Sequence, residues 1–311
     1  MEEKNVFAPQ ACPSCGKQLY YQPGTQETAC ADCGARQEIQ KGEPVRLPIR
    51  SEADFDRPAE EVEVSSICPM QLTRAYAAEA LKTYCKSNHL CPAGFRRKLK
   101  AEDLVGMYLP GWTFTAQTIT KYTGSFGVDR VEKDKLGGKP KTFTDWYPAG
   151  GTYVEEKQDH LIWATEEFAP EVLEELQPYV TEDCRAFDPA YLAGFSLGKI
   201  SVAIKDAWKK ARTALEGEIA KSVRFRIISE KSAHHTKDLK LDIAYSDFSM
   251  QKILLPVWVY KTTWGKKEYT LLLNGETGKC AGKTPVSILR AVITGVIILA
   301  ALFLLLLWTK I

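Results

Sequence analysis

Lys252-Ile253-Leu254-Leu255-Pro256-Val257-Trp258-Val259-Tyr260 is apolar, β-branched and aromatic, and it reads as a strand. Beside Tyr108–Phe114 it shows the pattern Leu-Pro-x-Trp-x-aromatic for a second time. One copy is Leu109, Pro110, Trp112 and Phe114; the other is Leu255, Pro256, Trp258 and Tyr260. A match this short leaves chance and internal duplication both open. Duplication predicts two related sheets, each with its tryptophan packed beneath it.

On the N-terminal side of this stretch, Val105 to Tyr122 reads as a long strand. A polar, Gly- and Lys-rich segment, 124–141, reads as an exposed loop, and Gly151–Thr165 as a return strand. Helical spacing of apolar residues marks Leu72–Asn88, Ala169–Leu176 with Pro170 in its first turn, and Leu197–Val223. The last of these carries Ile200, Ile204, Ala207, Trp208, Ala211, Leu215 and Ile219. Further strands are expected at Val223–Ile228 and Leu239–Tyr245. Beyond Tyr260, Trp264-Gly265-Lys266-Lys267 turns the chain, Glu268–Leu273 runs back, and Asn274-Gly275 turns it again. The fold class is α+β: an antiparallel body with a subdomain of long helices (67–222) and a β subdomain (223–284).

The body leads into Ala291–Trp308, AVITGVIILAALFLLLLW, eighteen residues without a charge. A helix of that length rises about 27 Å, close to the hydrocarbon thickness of a bilayer, and satisfies its own backbone there. A single C-terminal transmembrane helix is expected over 286–308. No apolar run opens the chain, so no signal peptide is expected. Lys279, Lys283 and Arg290 precede the span and Lys310 alone follows it, which predicts a single-pass membrane protein with its bulk in the cytoplasm. Only Lys283, Thr284 and Pro285 separate body from span, and together with Lys266 and Lys267 the basic residues there suit an anionic lipid surface.

Apolar content of 45%, charged content of 26% and a net charge of +2 are those of an ordinary globular protein and name no partner. The nine cysteines, in a cytoplasmic setting, suggest thiols or metal rather than disulfides. Cys12-Pro13-Ser14-Cys15-Gly16 and Cys30-Ala31-Asp32-Cys33-Gly34 follow one another with fourteen residues between Cys15 and Cys30. Each CxxCG is a knuckle in which two thiolates grip an ion while the glycine permits the tight turn. The pair predicts a Zn2+ site of Cys12, Cys15, Cys30 and Cys33 in a zinc ribbon, 8–45. Four thiolates leave no open position, so the metal is expected to be structural.

Met1 to Val45 holds four basic residues against six acidic ones. Four thiolates around zinc add further negative charge, so the footprint of a nucleic-acid binder is missing. An acidic linker, 46–66, follows and is expected to uncouple the ribbon from the body. Cys68, Cys85, His89 and Cys91 lack a knuckle and read as buried thiols rather than a second metal site. His160 in a strand, and His234 and His235 in a polar loop, read as surface histidines.

The CPxCG ribbon, Leu99–Trp112, Tyr191-Leu192-Ala193-Gly194-Phe195, Ile253–Trp258 and Asn274–Lys279 together resemble one family. It is the bacterial TFIIB-type zinc-ribbon membrane proteins, loosely labelled primosomal-helicase-like. The resemblance runs along nearly the whole chain, although a second CxxC pair found in many relatives is not reproduced by Cys68 and Cys91. It implies protein partners of the SPFH (flotillin-like) and phage-shock-protein-A-like kinds, in membrane-stress systems. The helicase label fails on the residues: Gly278-Lys279-Cys280-Ala281-Gly282-Lys283-Thr284 is one residue short of a phosphate-binding loop and precedes Pro285. The expectation is a non-enzymatic scaffold or adaptor that holds cytosolic partners at the membrane, with no catalytic residues and no small-molecule substrate. The alternative is a membrane-tethered nucleic-acid-binding or transcription-related factor acting through its ribbon.

Overall fold

The computed structural model describes residues 10–132 and 140–308, the side chains of Glu52 and of residues 302–308 excepted. The chain opens with a small antiparallel sheet of three strands, β1 (Leu19–Tyr21), β2 (Glu27–Cys30) and β3 (Arg36–Glu38), in that order. β4 (Leu47–Pro48), β5 (Val64–Ile67), α1 (Arg74–Ser87) and α2 (Ala93–Lys98) come next. β6 (Leu104–Glu132) and β7 (Lys141–Trp163) form a long hairpin. α3 (Pro170–Glu175), β8 (Arg185–Ala186) and β9 (Ser196–Leu197) lead to α4 (Ile204–Lys231). β10 (His235–Trp264), β11 (Lys267–Asn274), β12 (Cys280–Ala281) and α5 (Ile288–Trp308) complete the order.

β6 and β10 are the axis of the second sheet, which has nine strands. They pair antiparallel from His235 opposite Gly127 to Tyr260 opposite Leu104. The free edge of β10 takes β4, β5 and β11 in succession, and that of β6 takes β7 and β9. Side chains alternate across this axis. Leu109, Ile253, Leu255, Val257 and Val259 face α3 and the Cys68–Cys184 region. Tyr108, Leu254, Trp258 and Tyr260 face α1 and α2, while Trp112 and Phe114 on the same side meet the start of α4.

The two Leu-Pro-x-Trp copies therefore do not occupy two separate sheets, as duplication predicted. They lie on adjacent strands of one sheet and pair with each other, Leu109 opposite Leu255, Trp112 opposite Lys252 and Trp258 opposite Gly106. Both indoles are buried on the same face, and each donates to a backbone carbonyl: Trp112 to Val202 (3.2 Å) and Trp258 to Leu72 (2.9 Å).

Other expectations change where distant contacts override local pattern. The segment 124–141 is mostly strand: β6 continues to Glu132 and β7 begins at Lys141, with 133–139 outside the described residues. Val223–Ile228 is the last part of α4 rather than a strand. Its V-R-F-R-I run alternates, but Val223 and Ile227 extend the i,i+4 stripe of Ile204, Ala207, Ala211, Leu215 and Ile219, which buries the helix against the β6–β7–β10 arm. Leu239–Tyr245 and Lys252–Tyr260 fuse into β10, and His235 begins that strand. β10 breaks register beside Asp238 (φ 54°) and Asp247 (φ 50°), left-handed positions that mark bulges.

The expected linker is packed structure. Ile49, Phe55, Ala59 and Val62 are buried against Trp112, Phe114 and the start of α4. Phe55 stacks on Trp208 with ring centroids 5.4 Å apart. Lys252, 5% exposed, donates from Nζ to the carbonyls of Ala59 (3.0 Å) and Val62 (2.8 Å). Arg46 pairs with Asp159, which also accepts from Gln251. Acidic composition disguised a segment whose scattered apolar residues Ile49, Phe55, Ala59 and Val62 reach the core.

Ile288–Trp308 is a single helix of 21 residues. Among the described residues no helix is long and apolar enough to cross a membrane. The far part of the expected span, the side chains of 302–308, lies outside the described residues.

Candidate metal centre

Each CxxCG knuckle closes in the same way. The Gly16 amide donates to the Cys12 carbonyl (2.8 Å), and the Gly34 amide to the Cys30 carbonyl (3.1 Å). Both glycines are left-handed, φ 74° and 72°, and a Cβ on either would meet no atom within 4 Å. Backbone angle, not space, is what these positions require. β1 and β2 join the knuckles, with Leu19 opposite Cys30.

The four sulfurs of Cys12, Cys15, Cys30 and Cys33 lie within 4.8 Å of one another. Cys12 Sγ is 3.5 Å from Cys33 Sγ, and Cys15 Sγ is 3.5 Å from Cys30 Sγ. A tetrahedral ion with metal–sulfur bonds of about 2.3 Å sets its sulfurs about 3.8 Å apart, so the donor set and spacing fit a four-thiolate metal ion. Cys12 and Cys30 are buried while Cys15 and Cys33 are exposed. The Ser14 amide beside Cys12 holds its thiol down to about 7. At Cys15 the Lys17 amide pulls the same way, but the sulfurs of Cys33 and Cys30 outweigh it and push the thiol up to about 12. Four thiolates cannot gather without a cation between them, so metal binding here displaces protons.

The ribbon is seated on the body. The Tyr21 amide donates to the Ala193 carbonyl (2.9 Å), and the Gly24 amide to the Met70 carbonyl (3.0 Å). The Tyr21 ring meets Tyr191 edge-on at 5.3 Å and Phe195 at 6.3 Å. Gly194 (φ 87°) passes so close to Tyr20 that a Cβ there would stand 2.7 Å from its ring. Tyr191–Phe195, one of the stretches that carry the family resemblance, is thus the seat of the ribbon. The tyrosine-rich edge strand Leu19–Tyr21 is the signal of this seat that the sequence carries.

A protein of Bacillus subtilis (strain 168), YdjG, itself described as uncharacterized, is 24% identical to this chain over 319 residues, which cover 89% of each. No family model and no solved structure matches the chain.

The remaining candidates separate. Cys68 is disulfide-bonded to Cys184 on the α3 face of the sheet, against the expectation of thiols. Cys85 and Cys91 lie in the other core, and burial pushes Cys85 up to about 12. Burial likewise pushes Cys280 up to about 11. His89 is exposed, and among the described residues the ribbon is the only cluster of cysteine, histidine or carboxylate groups spaced for a metal. Gly278–Thr284 contains β12, which pairs with β11 through Leu273 opposite Cys280, so it is a strand rather than a phosphate cradle. His160 sits half-buried 3.8 Å from Glu218, its pKa lowered by burial. His234 accepts from the Asp129 amide, and His235 Nε2 lies 3.1 Å from the Asp129 carboxylate, both at the far end of the β6–β7–β10 arm.

Proposed function

We propose that this protein is a membrane-anchored, non-enzymatic adaptor whose structural Zn2+ ribbon and α+β body hold protein partners at a bilayer. The observation that carries the reading is the charge-free apolar run Ala291–Trp308 at the end of a globular body. The helical course of Ile288–Trp308 supports it, since 21 residues rise about 31 Å. Exposed Ile288, Leu289, Val292, Ile293, Val296 and Ile297 would be a liability in water and suit lipid. The basic residues before the run favour a cytoplasmic body. Four clustered sulfur donors, with no other side chain in the set, favour zinc in a structural role. Partners of the SPFH and phage-shock-protein-A-like kinds follow from the family resemblance.

The ribbon's charges weigh against nucleic acid. Lys17 pairs with Asp32 and Arg36 with Glu27, leaving little free positive charge on that surface. The test is fractionation of cells expressing the full chain, followed by affinity capture from detergent extracts with and without nuclease. Resistance to alkaline carbonate, release by detergent and nuclease-insensitive protein partners are expected. A freely soluble protein, or partners lost with nuclease, would overturn the reading.

A further inference from the structure

The root of α5 is clamped, not hinged. Arg290 Nη1 donates to the carbonyls of His89 (3.1 Å) and Cys91 (2.9 Å), and the Ser287 amide to the Leu90 carbonyl (2.9 Å). Asn88 Nδ2 donates to Thr284 Oγ1 (2.8 Å) and Tyr84 Oη to the Gly282 carbonyl (2.8 Å). The loop 88–92 thus holds the first turn of α5 and feeds directly into α2. Arg96, Arg97 and Lys98 form the last turn of α2. That helix is six residues long, so its basic end lies about 10 Å from the loop that grips Arg290.

α2 in turn is docked on the β10–β11 turn. Phe95 meets Trp264 edge-on at 5.8 Å and Tyr269 at 5.7 Å, and Lys98 Nζ donates to the Thr263 carbonyl (3.0 Å). A Cβ on Gly94 would stand 2.8 Å from the Trp264 ring. This brings exposed Lys266 and Lys267 beside Arg97 and Lys98. Among the described residues none of these four forms an ion pair, whereas Lys100 is matched by Glu102. Glu268 is the acidic neighbour on the turn, and Asp103 follows Glu102. Beside the clamp, between the end of α1 and the segment 282–286, lies an open cleft of about 380 Å³, lined by Tyr84, Ser87, Asn88, Lys283, Thr284 and Val286. One cation, Lys283, with hydroxyls and an amide lines it, just before the first turn of α5.

We propose that the surface of α2, the β10–β11 turn and this cleft binds the headgroups of anionic phospholipids. It rests on the membrane reading, because α5 is what brings the surface to a bilayer. The clamp fixes the angle between body and helix, so the basic face meets the leaflet in one pose. Each cation close to an anionic leaflet strengthens attachment roughly fivefold at low salt. The ribbon is not raised on a free tether: it touches Met70, just before α1, whereas α5 is gripped just after α1. A helix of 14 residues, about 21 Å, separates the two.

The test uses the full chain reconstituted into phosphatidylcholine vesicles, with and without phosphatidylglycerol. Flotation reports insertion, and hydrogen exchange over 93–100 and 264–268 reports the surface. Slower exchange in both segments with phosphatidylglycerol, lost in 1 M salt (a Debye length of about 3 Å), is expected. Combined Arg97→Glu, Lys266→Glu and Lys267→Glu substitution should abolish the lipid difference while flotation and metal content stay unchanged. The milder Arg97→Gln, Lys266→Gln, Lys267→Gln variant should weaken it and guards against misfolding. Flotation with equal exchange in both lipids would overturn the headgroup site and leave the anchor standing. Failure to float in either lipid would overturn the anchor and the site with it.

Discussion

Leu109 and Leu255 lie directly opposite one another in the β6–β10 ladder, and the two Leu-Pro-x-Trp copies run away from that pair in opposite directions. Trp112 and Trp258, each three residues beyond its leucine, emerge on the opposite face and are 0% and 2% exposed. A cation stands over each ring: Lys252 Nζ is 5.9 Å from the Trp112 centroid, and Arg74 Cζ is 5.7 Å from that of Trp258.

Trp112→Ala and Trp258→Ala are each expected to cost about 3–5 kcal/mol, since each leaves a large cavity and strands a carbonyl. Chemical denaturation measures this, and losses below about 1 kcal/mol at both positions would contradict the packing.

The ribbon is expected to bind one zinc ion per chain through Cys12, Cys15, Cys30 and Cys33. Cys30→Ser with Cys33→Ser should release the metal. It should also speed hydrogen exchange at 191–195, because Tyr21 packs against that segment. Affinity should fall as pH falls, since protons compete for the thiolates. Elemental analysis showing iron, or exchange changes confined to 10–40, would refute one half or the other.

Lys252 tests the packed linker. Burial lowers its pKa, with Glu60 opposing. The unfolded chain therefore holds this proton more tightly than the folded one, and stability rises with pH on approaching the ordinary lysine range. Lys252→Met should remove that rise, strand the carbonyls of Ala59 and Val62 at a cost of about 1–3 kcal/mol, and expose 52–62 to protease. Unchanged proteolysis and an unchanged pH slope would sink this account.

The Cys68–Cys184 bond closes a loop spanning a sequence separation of 116 residues and ties β5 to β8. Non-reducing peptide mapping should recover that pair, and Cys68→Ala with Cys184→Ala should lower stability by about 2–5 kcal/mol. Free thiols at both positions in protein purified without reductant would count against the bond.

Local chemistry made part of this protein legible. The CxxCG knuckles need only a few bonds of their own backbone to aim two sulfurs at one point, so the sequence specifies that cluster almost unaided. Apolar spacing likewise located α1 within two residues of its ends and the cores of β6 and β10. Those signals record which face of an element is apolar, not what covers it. Tertiary structure decided the rest through contacts between distant residues. Val223 and Ile227 joined a helix because the β6–β7–β10 arm offered a continuous apolar surface. The acidic segment 46–66 packed because its scattered Ile49, Phe55, Ala59 and Val62 found one pocket beside Trp112 and Phe114. Cys68 met Cys184, Tyr21 met Ala193, and Arg290 met the carbonyls before α2, none of which any local period encodes. The repeated Leu-Pro-x-Trp could be seen in the sequence as a likeness, but only strand pairing turned it into a contact.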